Sequence, residues 1–222
     1  LIAEGIRPET IIVTGSPMAE VFNYHNRAIS ESDILTREGL SNYGYFLLSA
    51  HREENVDNSE NFNNLLDSLD GLVKKYQFPV IFSTHPRTRK RMEENGYIND
   101  NKLIRFSKPF GFADYVKLEM NAFCTISDSG TITEESSILG FPAITIRQAH
   151  ERPEGMDEGT LIMSDLRLEK ILEAVKVVTD QRIKHSWRPD VVYNYKSDNV
   201  SKKVVRIILS YIDYVNRTVW NK

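Results

Sequence analysis

Six short runs rich in Val, Ile and Phe limit the fold of this chain more than any other feature: residues 11–14, 45–50, 80–84, 103–106, 123–127 and 143–146. They are largely continuous rather than alternating, the pattern of strands buried on both faces of a parallel sheet. Helical spacing separates most of them. Phe62, Leu65, Leu66, Leu69 and Val73 share one helix face, and Leu168, Ile171, Leu172, Val175 and Val178 share another. This β-α-β-α order predicts a doubly wound α/β domain over residues 1–185. Residues 186–196 read as a crossing segment. Beyond it Val200, Val204, Ile208, Tyr211, Val215 and Val219 recur at mostly four-residue spacing, which predicts one long amphipathic helix capped near 197–199. The chain opens without Met, on a helix-like stretch (1–6) and a strand-like one (10–15), as expected of a piece cut from a longer protein.

Composition narrows the function. At 222 residues the chain is long enough for a proper core, and 41% apolar with 27% charged residues is ordinary for a globular protein. A net charge of -3 argues against nucleic acid as the main partner, because phosphate-backbone binding needs a basic face. The single cysteine, Cys124, rules out an intrachain disulfide and a Cys-based zinc site, and its apolar surroundings read as a buried thiol. No pair of histidines has the spacing of a zinc helix, and no metal site is expected. No run approaches the roughly 20 apolar residues of a membrane span. Nor is there a signal peptide, so a reducing, cytoplasmic setting and no membrane partner are expected.

In an open α/β sheet, ligands bind beyond the carboxyl ends of the strands. The segments there are "GSP" (15–17), "HREEN" (51–55), "HPR" (85–87), "KPFGFADY" (108–115), "DSGT" (128–131) and "RQAHERPEG" (147–155). The Ser129-Gly130-Thr131 corner opens a helix-like stretch, where free N–H groups and the helix dipole favour an anion. Gly130 would let a phosphate approach the backbone, and Ser129 and Thr131 would add hydroxyl donors. Glu134 and Glu135 follow one turn in, where a carboxylate suits ribose hydroxyls. The same letters also fit an ordinary capped helix start with acids in its first turn. His51 directly follows a strand and could donate to a phosphate or serve as an acid, or be a solvated loop residue. Arg52 and Arg152 are candidate diphosphate clamps or plain surface arginines. "HPRTRKR" (85–91) reads as a basic helix start.

Together, "SAHREENVDN" (49–58), "DSGTITEE" (128–135), "LGFPAITIR" (139–147) and "ERPEGMDEGT" (151–160) resemble the UDP-N-acetylglucosamine 2-epimerases, from residue 1 to about 180. Two departures, Thr131 for the family's second Gly and Glu53 after Arg52, look more like the subgroup that makes UDP-N-acetyl-L-fucosamine for capsules and O-antigens. The resemblance implies a Rossmann-like UDP-binding half, the C-terminal domain of a glycosyltransferase-B-like enzyme, homodimeric at full length and needing no cofactor. It implies that the N-terminal half carrying most proton-transfer acids is absent here. His51 would serve the diphosphate catalytically. Ser129, Gly130 and Thr131 would hold phosphate oxygens, Glu135 the ribose, Arg152 the diphosphate and sugar, and the loop from Phe110 to Tyr115 the uracil. Arg52, Glu54 and His85 match an effector site of regulated members. The rival readings are a UDP-sugar glycosyltransferase domain and a nucleotide-sugar binding module without catalysis.

Overall fold

The computed structural model describes residues 1–149 and 151–221. The chain divides into two compact units: His25–Val192, and Leu1–Tyr24 together with Tyr193–Lys222.

The larger unit is built on six parallel strands: β1 (Phe46–Ser49), β2 (Val80–Ser83), β3 (Ile104–Ser107), β4 (Cys124–Ser127), β5 (Ala143–Thr145) and β6 (Ile162–Met163). Their order is β3-β2-β1-β4-β5-β6. From β1 the chain winds outward one way through β2 and β3, and from β4 the other way through β5 and β6. The carboxyl ends of β1 and β4 therefore flank the switch point where α/β sheets place their ligands.

The helices are α1 (Met18–Glu31), α2 (Ile34–Arg37), α3 (Glu53–Val56), α4 (Ser59–Tyr76), α5 (Pro86–Glu94), α6 (Phe112–Asn121), α7 (Ile132–Leu139), α8 (Pro153–Asp157), α9 (Leu168–His185) and α10 (Val200–Thr218). Continuous apolar strands are buried on both sides. On one face Phe46, Leu48, Phe82, Ile126 and Ile144 pack with Phe62, Leu65 and Leu69 of α4 and Ile171 and Val175 of α9. On the other, Tyr45, Leu47 and Ile81 pack with Leu118 of α6. Each such side chain contributes about 1.5–3 kcal/mol of transfer free energy. Cys124 is buried among them, and burial pushes its thiol well above the usual range.

Five of the six apolar runs are strands within a residue or two, and the doubly wound, Rossmann-like sheet is as expected. Residues 11–14 are not a strand. They follow a 3-10 turn (Pro8–Thr10) as irregular chain, with Ile12 and Val13 exposed. Residues 1–6 hold only a 3-10 turn, Ile2–Glu4. Strand propensity there meets no neighbouring strand, and a strand is stabilised by its partners more than by its own preference. The sheet instead ends on β6, two residues that carry no run long enough to be seen.

The smaller unit joins the two ends of the chain. The Ser16 N–H donates to the Asn194 carbonyl at 2.8 Å, Lys203 Nζ to the Thr14 carbonyl at 3.2 Å, and the Ser201 N–H to Glu20 at 2.8 Å. Helix α10 starts after Asn199, as the sequence predicts, but only Val200 of its stripe is buried. Among the described residues, no helix is long and apolar enough to cross a membrane.

Candidate nucleotide-diphosphate site

Two strand ends meet at the switch point. After β1 the chain continues through Ala50 and His51 into α3. After β4 it turns through Asp128, Ser129, Gly130 and Thr131 into α7. Asp128 holds the two together. Its fully buried carboxylate accepts from the N–H of His51 at 2.9 Å, from the N–H of Arg52 at 2.9 Å, and from Asn55 Nδ2 at 3.1 Å. Its Oδ1 also stands 3.2 Å from His51 Nδ1. Burial alone would raise the Asp128 pKa, but these donors, His51 foremost, bring it below the ordinary value. The same contact raises the pKa of His51. With Nδ1 committed to Asp128, the other ring nitrogen is the one left for a ligand.

The corner is a close-approach point. Ser129 Oγ and Thr131 Oγ1 lie 2.9 Å apart, and Thr131 is the N-cap of α7 without a side-chain cap bond. A Cβ on Gly130 would come within 2.6 Å of Arg152 Nη1, 3.0 Å of Glu151 Oε2 and 3.6 Å of Arg147 Nη1. Arg52 joins them. Its Nε donates to the Asp128 carbonyl at 2.9 Å and its Nη2 to Glu151 at 3.1 Å. Arg152 Nη2 pairs with Glu134 at 2.9 Å. Three guanidinium groups thus converge on a backbone turn that opens a helix, an arrangement suited to a polyanion.

Glu134 and Glu135 behave differently. Glu134 is tied to Arg152, whereas Glu135 lies against Glu119, where burial raises its pKa against hydrogen bonds from Thr131 and Glu119. Glu119, on α6, is fully buried, and no conventional donor reaches either of its oxygens among the described residues. Burial first, and the Glu135 charge second, raise its pKa well above the ordinary carboxylate value, and in its protonated form it can donate to Glu135. Tyr115 lies beside this pair, its phenol also raised by burial and hydrogen-bonded to Ser49.

Phe110 and Tyr115 both pack on the second apolar cluster. Phe110 is in the loop, but Tyr115 is in the first turn of α6, which begins at Phe112, so the expected loop is shorter than 110–115. His85 caps α5, its Nδ1 accepting from the Arg87 N–H at 3.2 Å, and its ring lies 5.5 Å from that of His51. Glu54 Oε1 is 3.9 Å from Arg52 Nη1. Among the described residues no group of His, Cys, Asp and Glu is placed to hold a metal ion. A separate cavity of about 40 Å³ lies toward the other end of α7, lined by residues that include Ser136, Gly140, Thr160 and Trp187. It has room for water rather than for a nucleotide.

A family model described as UDP-N-acetylglucosamine 2-epimerase matches residues 1–209. The chain belongs to that family. It is 34% identical over 215 residues to the UDP-N-acetylglucosamine 2-epimerase of Methanocaldococcus jannaschii, covering 94% of this chain and 57% of that protein. The structure of the Rickettsia bellii UDP-N-acetylglucosamine 2-epimerase superposes with a TM-score of 0.88 at 49% identity, covering 100% of this chain and 59% of the other. The M. jannaschii enzyme in complex with UDP-GlcNAc and UDP gives 0.84 at 30% identity, covering 94% and 57%. The chain therefore spans a little over half the length of these relatives.

For this epimerase-family chain the sequence assigned no role to Asp128, Asn55, Arg147, Glu151 or Glu119. Asp128 was the easiest of them to find, since it follows β4 immediately, where His51 follows β1 after one intervening residue. Glu119 shares a face of α6 with Phe112, Tyr115 and Val116, so the helical spacing points it inward, and only its charged residue type argued against burial.

Proposed function

We propose that this chain is the UDP-binding half of an enzyme that epimerises C2 of a UDP-N-acetylhexosamine. The observation that carries the reading is the convergence of Arg52, Arg147 and Arg152 on the Gly130 turn, beside a histidine oriented by a buried aspartate. The C2 proton of such a sugar is not acidic, so direct deprotonation is a poor route. Expelling UDP from C1 while a carboxylate takes the C2 proton gives a 2-acetamidoglycal. UDP then adds back to C1 as a proton reaches C2 from the other face. This half supplies leaving-group stabilisation. Charge builds on the diphosphate as the C1–O bond breaks, and fixed donors already aimed there lower the barrier. His51 donates from the ring nitrogen opposite Asp128. Gly130 and its neighbours hold the phosphate oxygens with Arg152, Glu135 takes the ribose hydroxyls, and the segment from Phe110 to Tyr115 flanks the uracil. The acids that move the C2 proton belong to the part of the protein outside this chain.

Thr131 and Glu53 favour the 6-deoxy-L-sugar branch, with a product destined for capsule or O-antigen. The test is an NMR assay of the full-length protein in D2O, run in parallel with UDP-N-acetylglucosamine and with a UDP-N-acetyl-6-deoxy-L-sugar. Deuterium should enter C2 of one of them as its epimer accumulates. A glycosidic product, or binding of both with no exchange into either, would overturn the assignment.

A further inference from the structure

The anion between the three guanidinium groups is supplied here by the chain itself. Glu151 Oε1 accepts from Arg147 Nη2 at 2.8 Å and from Arg52 Nη2 at 3.1 Å. Its Oε2 lies 4.0 Å from Arg152 Nη1 and 3.0 Å from where a Cβ on Gly130 would sit. The carboxylate thus covers the bare backbone face of the corner. Guanidinium forks bind carboxylate and phosphate through the same geometry, so either group excludes the other.

The cations are fixed and the anion is not. Arg147 is buried, Arg52 is anchored on the Asp128 carbonyl, and Arg152 on Glu134. The Glu151 side chain is 52% exposed, and among the described residues only arginines hold it. Arg147 first, and then Arg52, pull its pKa down to about 2, so it stays charged across the working pH range.

We infer that Glu151 is a built-in counter-anion, which fills the phosphate position of the free corner and must be displaced before a phosphate group binds there. The inference deepens the proposed function and rests on reading the corner as a nucleotide-diphosphate site. A single phosphate exchanges one anion for another at Arg52 and Arg147 and gains little. A diphosphate brings a second anionic group, which reaches Arg152 and the start of α7 while the first displaces Glu151. The displacement is common to both ligands, so Glu151 weakens each by a similar factor, and the second phosphate sets the preference between them.

Glu151→Gln tests this in the present chain, with circular dichroism to show an intact fold. Calorimetry with UMP, UDP, inorganic phosphate and pyrophosphate gives the four affinities. All four should tighten by at least about tenfold, the scale of one charge-assisted contact, and Glu151→Ala should act in the same direction. Weaker binding of all four would show instead that Glu151 organises the arginines, and unchanged affinities would show that it does not occupy the phosphate position. Either result overturns the inference. If the uridine nucleotides fail to bind while phosphate and pyrophosphate tighten, the counter-anion stands and the nucleotide reading falls. If none of the four binds, both fall.

Discussion

His51 and Asp128 lie 77 positions apart in the chain, yet three contacts join them, two to the His51 N–H and one to its ring. The contact raises the pKa of His51, so its stabilising effect is complete below the unfolded histidine value and is lost as pH rises through the raised folded one. A histidine more readily protonated near neutrality is a better donor to a departing diphosphate. His51→Asn in the full-length enzyme should cut kcat at least about 100-fold while UDP affinity changes much less. A folded variant within threefold of wild type in steady-state assays would end that role. Glu119 gives a second prediction at this scale. Its folded pKa is raised, so between the unfolded carboxylate value and the folded one the native state binds the extra proton and stability falls with rising pH. The slope from this one group is at most about 1.4 kcal/mol per pH unit. Glu119→Gln keeps a donor toward Glu135 and cannot lose it. Urea denaturation from pH 5 to 8 should give a flatter profile for the variant, with UDP affinity retained; Glu119→Leu, lacking the donor, should lose affinity.

Helices α4 and α10 carry similar apolar stripes and have different surroundings. Leu69 of α4 is fully buried against the sheet, whereas Ile208 of α10 is 55% exposed. Leu69→Ala should therefore cost about 2–5 kcal/mol in chemical denaturation, the range for a buried leucine that leaves a cavity. Ile208→Ala in this chain should stay within about 0.5 kcal/mol of wild type. Equal losses would mean that the stripe on α10 is covered in solution. The elements themselves were largely legible. Continuous apolar runs gave β1 to β5, and 3.6-residue spacing gave α4, α9 and α10. The strand expected at 11–14 failed because a strand needs a neighbour, and β6 escaped because two residues hold no pattern.

For the whole molecule, the share of each relative that this chain covers decides what it can do alone. It retains the switch-point corner and spans 57–59% of the epimerases it matches. The isolated chain should therefore bind UDP weakly in calorimetry and should exchange no C2 hydrogen of a UDP-N-acetylhexosamine in D2O. Robust exchange by this chain alone would show that the proton-transfer groups lie within it, and the division of labour proposed above would be wrong.

The α/β class, the strand ends on which ligand-binding residues stand, and the family are all legible in the order of residues alone. These depend on local spacing and on motifs of a few residues, which survive without knowledge of contacts. Which of those residues act together emerges only on folding. Sheet order placed β1 beside β4, and with it His51 beside Asp128. Folding of the β5–α8 loop set Glu151 among three arginines, and packing of α6 buried Glu119 against Glu135. His51 and Asp128 are 77 positions apart and Arg52 is 99 from Glu151, although Arg147 and Arg152 are near neighbours of Glu151 in the chain. Their charge states follow from burial and proximity, which periodicity along one chain cannot express.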